Sequence, residues 1–221
     1  MSALVHDIKT PLTVVRGNSE LLLETELTDE QKNYADYISG SVLQIQNYVQ
    51  TLIEVTKSQE GISQAPVNVN VYDVLADIKK QTLGLSEVYQ HQINWKEELE
   101  SENSDSVISV VYDHVVRAVM NVVRNAAEHT PKGSVINITV TYSDGELAFT
   151  VEDSGSGFTP EGLAHGTEQF FMDDSSRTGG SHYGIGLFFA KKVAEEHGGK
   201  IVLANSNETS GAKVEISFTS Q

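Results

Sequence analysis

The sequence predicts two units in series. The first is a helical hairpin that pairs with a second copy as a four-helix bundle, and the second is an α+β two-layer sandwich. Three observations point this way. Apolar residues recur at spacings of three and four as far as about residue 59. Residues 60–70 then lose all period and collect Gly61, Ser63, Pro66 and two asparagines. Beyond them, short alternating runs interleave with helical ones, as expected of helices laid on one face of a mixed sheet.

Residues 2 to about 24 read as a helix, with Leu4, Ile8, Leu12, Val15, Ser19 and Leu22 on one stripe. Pro11 lies inside it and crowds the Asp7 carbonyl, so a bend is expected there. Residues 25–28 read as a turn. Thr28 or Asp29 can cap a second helix, which carries Glu30 in its first turn and runs to about residue 59. Tyr34, Ile38, Ser41, Ile45, Tyr48, Leu52 and Val55 alternate steps of four and three, a coiled-coil period. That face is too large to leave wet. A homodimeric four-helix bundle covers it most simply, and burial against the same chain's second domain is the alternative. The expected divisions are a hairpin over residues 1–60, a linker over 61–70 and a second domain over 71–221.

In the second domain, residues 71–88 read as a helix with Val71, Val74, Leu75, Ile78 and Leu85 on one side. Short strands are expected at 92–97 and 107–111, and a helix at 113–129 that is apolar at Val115, Val116, Val119, Val122 and Val123. Residues 134–143 alternate, Asp144-Gly145 signals a hairpin, and 146–152 pair back. Residues 154–183 are rich in Gly, Ser, Asp and Thr and read as a long mobile loop. A helix over 184–197, ended by Gly198-Gly199, precedes a last hairpin of 200–205 and 212–219.

The chain has 221 residues, 39% of them hydrophobic, enough to build a packed core. A net charge of −16 argues against nucleic acid and anionic membrane surfaces as partners. The absence of cysteine excludes disulfides and thiolate metal sites and is compatible with a reducing cytosol. No signal peptide and no membrane-spanning run is present. Met1 falls only a few residues before His6, within continuous helix, so the chain is expected to be part of a longer one whose membrane segment, if it has one, lies upstream.

Chemistry concentrates in five places. The opening run Val5-His6-Asp7-Ile8-Lys9-Thr10-Pro11-Leu12 holds a nucleophile, an adjacent carboxylate, and a hydroxyl on the same helical face one turn on. In Asn121-Val122-Val123-Arg124-Asn125-Ala126-Ala127-Glu128-His129-Thr130, two amides four residues apart point the same way, and an amide oxygen suits Mg2+ shared with phosphates. Asp153-Ser154-Gly155-Ser156-Gly157-Phe158 puts a carboxylate at a strand end before glycines that admit a ligand to the backbone. Phe170-Phe171 is followed by Asp174-Ser175-Ser176-Arg177, and Gly184-Ile185-Gly186-Leu187 opens a helix whose N-terminus suits a polyphosphate.

In this order the five patterns resemble the cytoplasmic part of a bacterial two-component sensor histidine kinase. His6 to Leu12 is similar to its H box, Asn121 to Thr130 to the N box, Asp153 to Gly157 to the G1 box, Phe170-Phe171 to the F box and Gly184 to Gly186 to the G2 box. The resemblance implies a dimerisation and phosphotransfer hairpin followed by an ATP-binding domain of the GHKL (Bergerat) fold, shared with gyrase and mismatch-repair ATPases. It implies His6 as phospho-acceptor, Asp7 as the group orienting it, and Thr10 as a residue that places hydrolytic water, unless Thr10 is only a helix hydroxyl bonded to its own backbone. It implies Asn125 as Mg2+ ligand, Asn121 as a supporting nucleotide contact and Asp153 as reader of the adenine amino group. Gly155 and Gly157 would give access to the base, and Gly184 and Gly186 to the phosphates. Arg177 would reach the phosphates from a lid over 156–183 that orders with nucleotide.

Several positions depart from the family pattern. Glu128 and His129 stand where Lys and Tyr are usual, His182 replaces the first G2 glycine, and Met172 replaces the basic F-box residue. The implied activity is ATP-dependent autophosphorylation and transfer to an aspartate of a response-regulator receiver domain. The implied location is cytoplasmic, as part of a membrane-anchored sensor. A kinase acting mainly as a phosphatase through Asp7 and Thr10, and a non-catalytic ATP-binding dimerisation scaffold, are the rival readings.

Overall fold

The computed structural model describes residues 2–59, 65–100, 106–169, 171 and 185–220; within the hairpin it leaves out the side chains of residues 2–7, 9, 43, 44, 46–48 and 50–59. The described residues form two units, the hairpin and a second unit from residue 65 on. None of their helices is long and apolar enough to cross a membrane.

The hairpin pairs α1 (Ser2–Leu23) with α2 (Asp29–Gln59). Helix α1 runs through Pro11 without a break. Thr28, one of two expected caps, is the residue that caps α2. Its hydroxyl accepts the Gln31 amide at 3.2 Å while the Gln31 side chain accepts the Thr28 amide at 3.0 Å, a reciprocal box that satisfies two end donors. The buried seam of the hairpin holds Ser19 from α1 and Ala35, Val42 and Val49 from α2, one residue per heptad on the second helix. On α2 the stripe read from the sequence is a different one, with Tyr34, Ile38 and Ile45 exposed; on α1 the expected stripe supplies the buried Ser19, while Val15 and Leu22 stay exposed.

The second unit is a mixed five-stranded sheet of order β2-β4-β5-β7-β6, from β2 (Gln92–Leu99), β4 (Val135–Ser143), β5 (Glu146–Glu152), β6 (Ile201–Asn205) and β7 (Ala212–Thr219). β2 and β4 run parallel, and the remaining pairs are antiparallel. Period-two patterning sends Ile136, Ile138, Val140, Leu147, Phe149, Val151, Val214, Ile216 and Phe218 into the core, while Asn137, Thr139, Thr150 and Glu215 face outward. The helices α3 (Val71–Tyr89), α4 (Tyr112–His129) and α6 (Gly186–Glu196) cover the apolar face, with α4 in contact with both others. Asp144 and Gly145 both take positive φ, 49° and 77°, the primed turn that suits the twist of a two-residue hairpin.

Two short elements differ from expectation. Val67–Asn70, read as the end of the linker, is strand β1, antiparallel to β3 (Val107–Val110). Its Val-Asn-Val-Asn alternation is a strand pattern, and Asn70 ends the strand by accepting the Tyr72 amide to cap α3. Pro160–His165, inside the expected loop, is helix α5, with Thr159 as cap and Pro160 at its first turn. The segment before it is held as well: Asn205 accepts the Phe158 amide at 2.7 Å and donates to the Phe158 carbonyl at 2.9 Å. The expected loop is thus structured over 154–169, and of the rest of the expected lid residues 170 and 172–183 lie outside the described residues.

Candidate functional site

Helix α4 is the spine on which the sequence patterns assemble. Its apolar side, Val115, Val119, Val122, Val123 and Ala126, is sealed in the core. Asn121 and Asn125 sit one turn apart, half-buried, on the opposite side. Gly186 begins α6 directly against Asn121: a Cβ on it would lie 3.7 Å from the Asn121 Cβ, an ordinary contact. Space does not force glycine there. Phe189 holds α6 on α4. The Arg117 guanidinium lies 4.4 Å from its ring centroid and His114 meets it edge-on. No side chain among the described residues caps the first amides of α6, and such amides, at the positive end of a helix, favour an anion.

The loop after β5 closes on the other end of α4. A Cβ on Gly155 would fall 2.4 Å from the His129 carbonyl oxygen, so only glycine permits that approach. Gly157 has φ +73°, and a Cβ there would sit 2.8 Å from Asn205 Oδ1. Asp153, 2% exposed, stands between them and the sheet. Its Oδ1 accepts the Gly155 amide at 2.8 Å and the Ala212 amide at 3.0 Å. Burial pushes its carboxyl above the usual carboxylate range, and the two amides and the His129 charge pull against that shift. Both bonds fall on one oxygen, so the other keeps acceptor capacity for a further donor. A buried acceptor, an open helix start and two amides thus share about 12 Å of α4 between residues 121 and 129. Such a set can hold a flat donor-bearing base at one end, phosphates at the other, and a hard metal ion at the amides.

The predicted residues fall into three groups. Asn121, Asn125, Gly155 and Gly186 are brought together along α4, Asp153 is bonded to the Gly155 amide beside them, and Gly157 follows in the same loop against Asn205 and Ser210. His6, Asp7 and Thr10 lie on α1 of the other unit; Thr10 is exposed, and the side chains of His6 and Asp7 are outside the described residues. Arg177, Gly184, Phe170, Met172 and His182 are outside them too. Glu128, which departs from the expected Lys, accepts a hydrogen bond from the Tyr89 hydroxyl of α3 at 2.8 Å. Burial, with that carboxylate, pushes the Tyr89 hydroxyl up to about 12.

Sequence reasoning missed Asn205, Thr209 and Gly211, which grip the Asp153 loop from the β6–β7 turn. The available signal was length: Ser206 to Gly211 is more than a two-residue hairpin turn needs.

Residues 110–221 match the histidine kinase-, DNA gyrase B- and HSP90-like ATPase family, and residues 1–61 match the His Kinase A (phospho-acceptor) domain. The chain belongs to the histidine kinase family. This histidine kinase is 32% identical to the sensor histidine kinase SpaK of Bacillus subtilis over 216 residues, 98% of this chain and 46% of SpaK. It is 30% identical to the nisin biosynthesis sensor protein NisK of Lactococcus lactis subsp. lactis over 217 residues, 97% of this chain and 47% of NisK. The chain therefore spans about half the length of these relatives. Full-length ShkA, solved in complex with AMPPNP, superposes with a TM-score of 0.69 at 21% identity, covering 100% of this chain and 46% of that one, a likeness of fold. The histidine kinase architecture expected from the sequence, hairpin then GHKL-type sandwich, is the one observed.

Proposed function

We propose that this chain binds Mg-ATP in its second unit, transfers the γ-phosphoryl to His6, and passes it to a receiver-domain aspartate of a response regulator. The observation that carries the reading is the convergence of Asp153, Gly155, Asn121 and Gly186 on α4, in a chain whose other unit matches a phospho-acceptor domain. In this reading residues 1–60 dimerise and present His6, 61–70 connect, and 71–221 hold nucleotide. The free oxygen of Asp153 accepts from the adenine N6 amino group, while a 6-oxo purine would place acceptor against acceptor. Gly155 and Gly157 let the base lie on backbone, and the α6 N-terminus, from Gly184 and Gly186, receives phosphate oxygens together with Arg177. Asn125 ligates Mg2+, which when bound offsets the triphosphate charge, and Asn121 supports the nucleotide beside it. Asp7 accepts a hydrogen bond from His6 Nδ1–H and so leaves Nε2 free as in-line nucleophile. Thr10 and Asp7 serve the reverse output, hydrolysis of the regulator's phosphate. A second copy covers the exposed face of Tyr34, Ile38 and Ile45 as a four-helix bundle.

The test against a non-catalytic scaffold is incubation with γ-labelled ATP. A kinase acquires label that is lost in acid and retained in base. Unlabelled protein that still binds ATP would leave the scaffold reading in place.

A further inference from the structure

The β6–β7 turn is more elaborate than a connection requires. Ser206, nearly buried, organises it: its hydroxyl accepts the amides of Glu208 and Thr209, and its own amide donates to the Gly211 carbonyl. Ser210 takes a positive φ of 61° to close it. The outward contacts of this turn go to both ends of the loop from Asp153 to Phe158. At one end the Thr209 hydroxyl donates to the Asp153 carbonyl at 2.6 Å, and accepts the Gly211 amide at 3.2 Å. Asp153 exchanges further bonds with Ala212, amide to carbonyl at 2.9 Å and carboxylate to amide at 3.0 Å. At the other end Asn205 holds the Phe158 backbone from both sides. Gly211 lies so close that a Cβ on it would meet the Asp153 carbonyl oxygen at 2.1 Å and Oδ1 at 2.6 Å.

The geometry points to Thr209, with Asn205, as positioning residues for purine selection. Both are assigned an indirect role, through the backbone of the loop they hold. Thr209 holds the main chain of Asp153 while the Gly155 and Ala212 amides hold one carboxylate oxygen, which leaves the other oxygen as the acceptor this inference assigns to the base. Asn205 fixes the far end of the same loop. A carboxylate free to turn could offer its acceptor to other donors or relax away from a 6-oxo group, so holding it still discriminates adenine from hypoxanthine or guanine. This inference rests on Asp153 as the adenine reader.

The test is calorimetric titration of the full chain with ADP and with IDP. Thr209→Val keeps the shape and removes the hydroxyl; it is expected to weaken ADP about tenfold and IDP about twofold or less, lowering the ADP-to-IDP preference. Thr209→Ser is expected to restore the preference. If Thr209→Val does not fold, Asn205→Asp, which keeps the acceptor for Phe158 and loses the donor, should lower the preference in the same direction. A wild-type preference in the folded variants, beside a collapsed preference in Asp153→Asn, overturns the positioning role alone. A wild-type preference in Asp153→Asn overturns the adenine reading and this inference with it. An equal loss for ADP and IDP, not rescued by Ser, would reduce Thr209 to a general stabiliser of the turn.

Discussion

Replacing Asp153 by Asn separates recognition from folding. The Asn oxygen can take the place of Oδ1 and still accept the Gly155 and Ala212 amides, so both backbone anchors survive. The Asn amino group then replaces the second oxygen and puts a donor where the proposed adenine contact also donates. Loss of a hydrogen bond to a charged acceptor, with a buried donor left unpaired, costs about 3 kcal/mol, or roughly a hundredfold in Kd. Stability should move the other way. Because the folded carboxyl titrates above its unfolded counterpart, the folded state holds the proton more tightly than the unfolded state. Stability therefore falls as pH rises from the usual carboxylate pKa to the raised one, and the charge is carried at a cost above it. Asn removes that cost, so Tm at neutral pH is expected to hold or rise. ADP affinity in the wild type should fall on acidification, beginning above the usual carboxylate range, and this fall should be absent in Asp153→Asn. Calorimetry across pH, with thermal melts of the same samples, is the assay. Unchanged ADP affinity, or an affinity loss explained by a fall in Tm, would refute the assignment.

Two further outcomes follow from particular contacts. His197 is buried and neutral, donating from Nδ1 to the Val193 carbonyl at 2.7 Å and accepting the Val111 amide on Nε2 at 2.9 Å; burial lowers its pKa, and neighbouring His114 lowers it further. Its contribution is complete above the ordinary imidazole pKa and is lost as pH falls from there toward the lowered one. His197→Phe, which strands the Val111 amide, should cost about 1–3 kcal/mol in urea unfolding and flatten that acid limb, and an identical limb in both proteins would contradict it. On the hairpin, if the wild type sediments as the proposed dimer, Ile45→Asp at an exposed position should yield a helical monomer, and a dimeric variant would exclude this face as the interface.

Legibility in the sequence tracked how local the physics was. The α4 pattern could be read because its core valines and its two asparagines obey one helical period. Gly155 and Gly157 stood out as glycines after a motif carboxylate, but the contacts that constrain them, the His129 carbonyl on Gly155 and Asn205 beside the positive φ of Gly157, are distant in sequence. The grip of Thr209 on Asp153 could not, since it spans 56 residues and only the sheet brings β5 beside β7. Glu128 was read against a family pattern, yet its partner is Tyr89, 39 residues earlier on another helix. β1 was missed because turn-forming asparagines masked a four-residue alternation, and α5 because a loop composition hid a Thr-Pro-Glu helix start. In α2 the period was right but two apolar seams share it, and which one closes the hairpin depends on α1.

In the proposed reaction His6 takes its phosphoryl group from ATP held by the second unit. Phosphorus NMR of the ATP-treated chain, with ADP binding measured on wild type and on His6→Gln, tests it most directly. A phosphoramidate signal in the wild type, absent from His6→Gln while that variant binds ADP as tightly, is the predicted result. A phosphoester signal, a phosphoramidate that persists in His6→Gln, or ADP affinity that falls with the histidine would contradict the account.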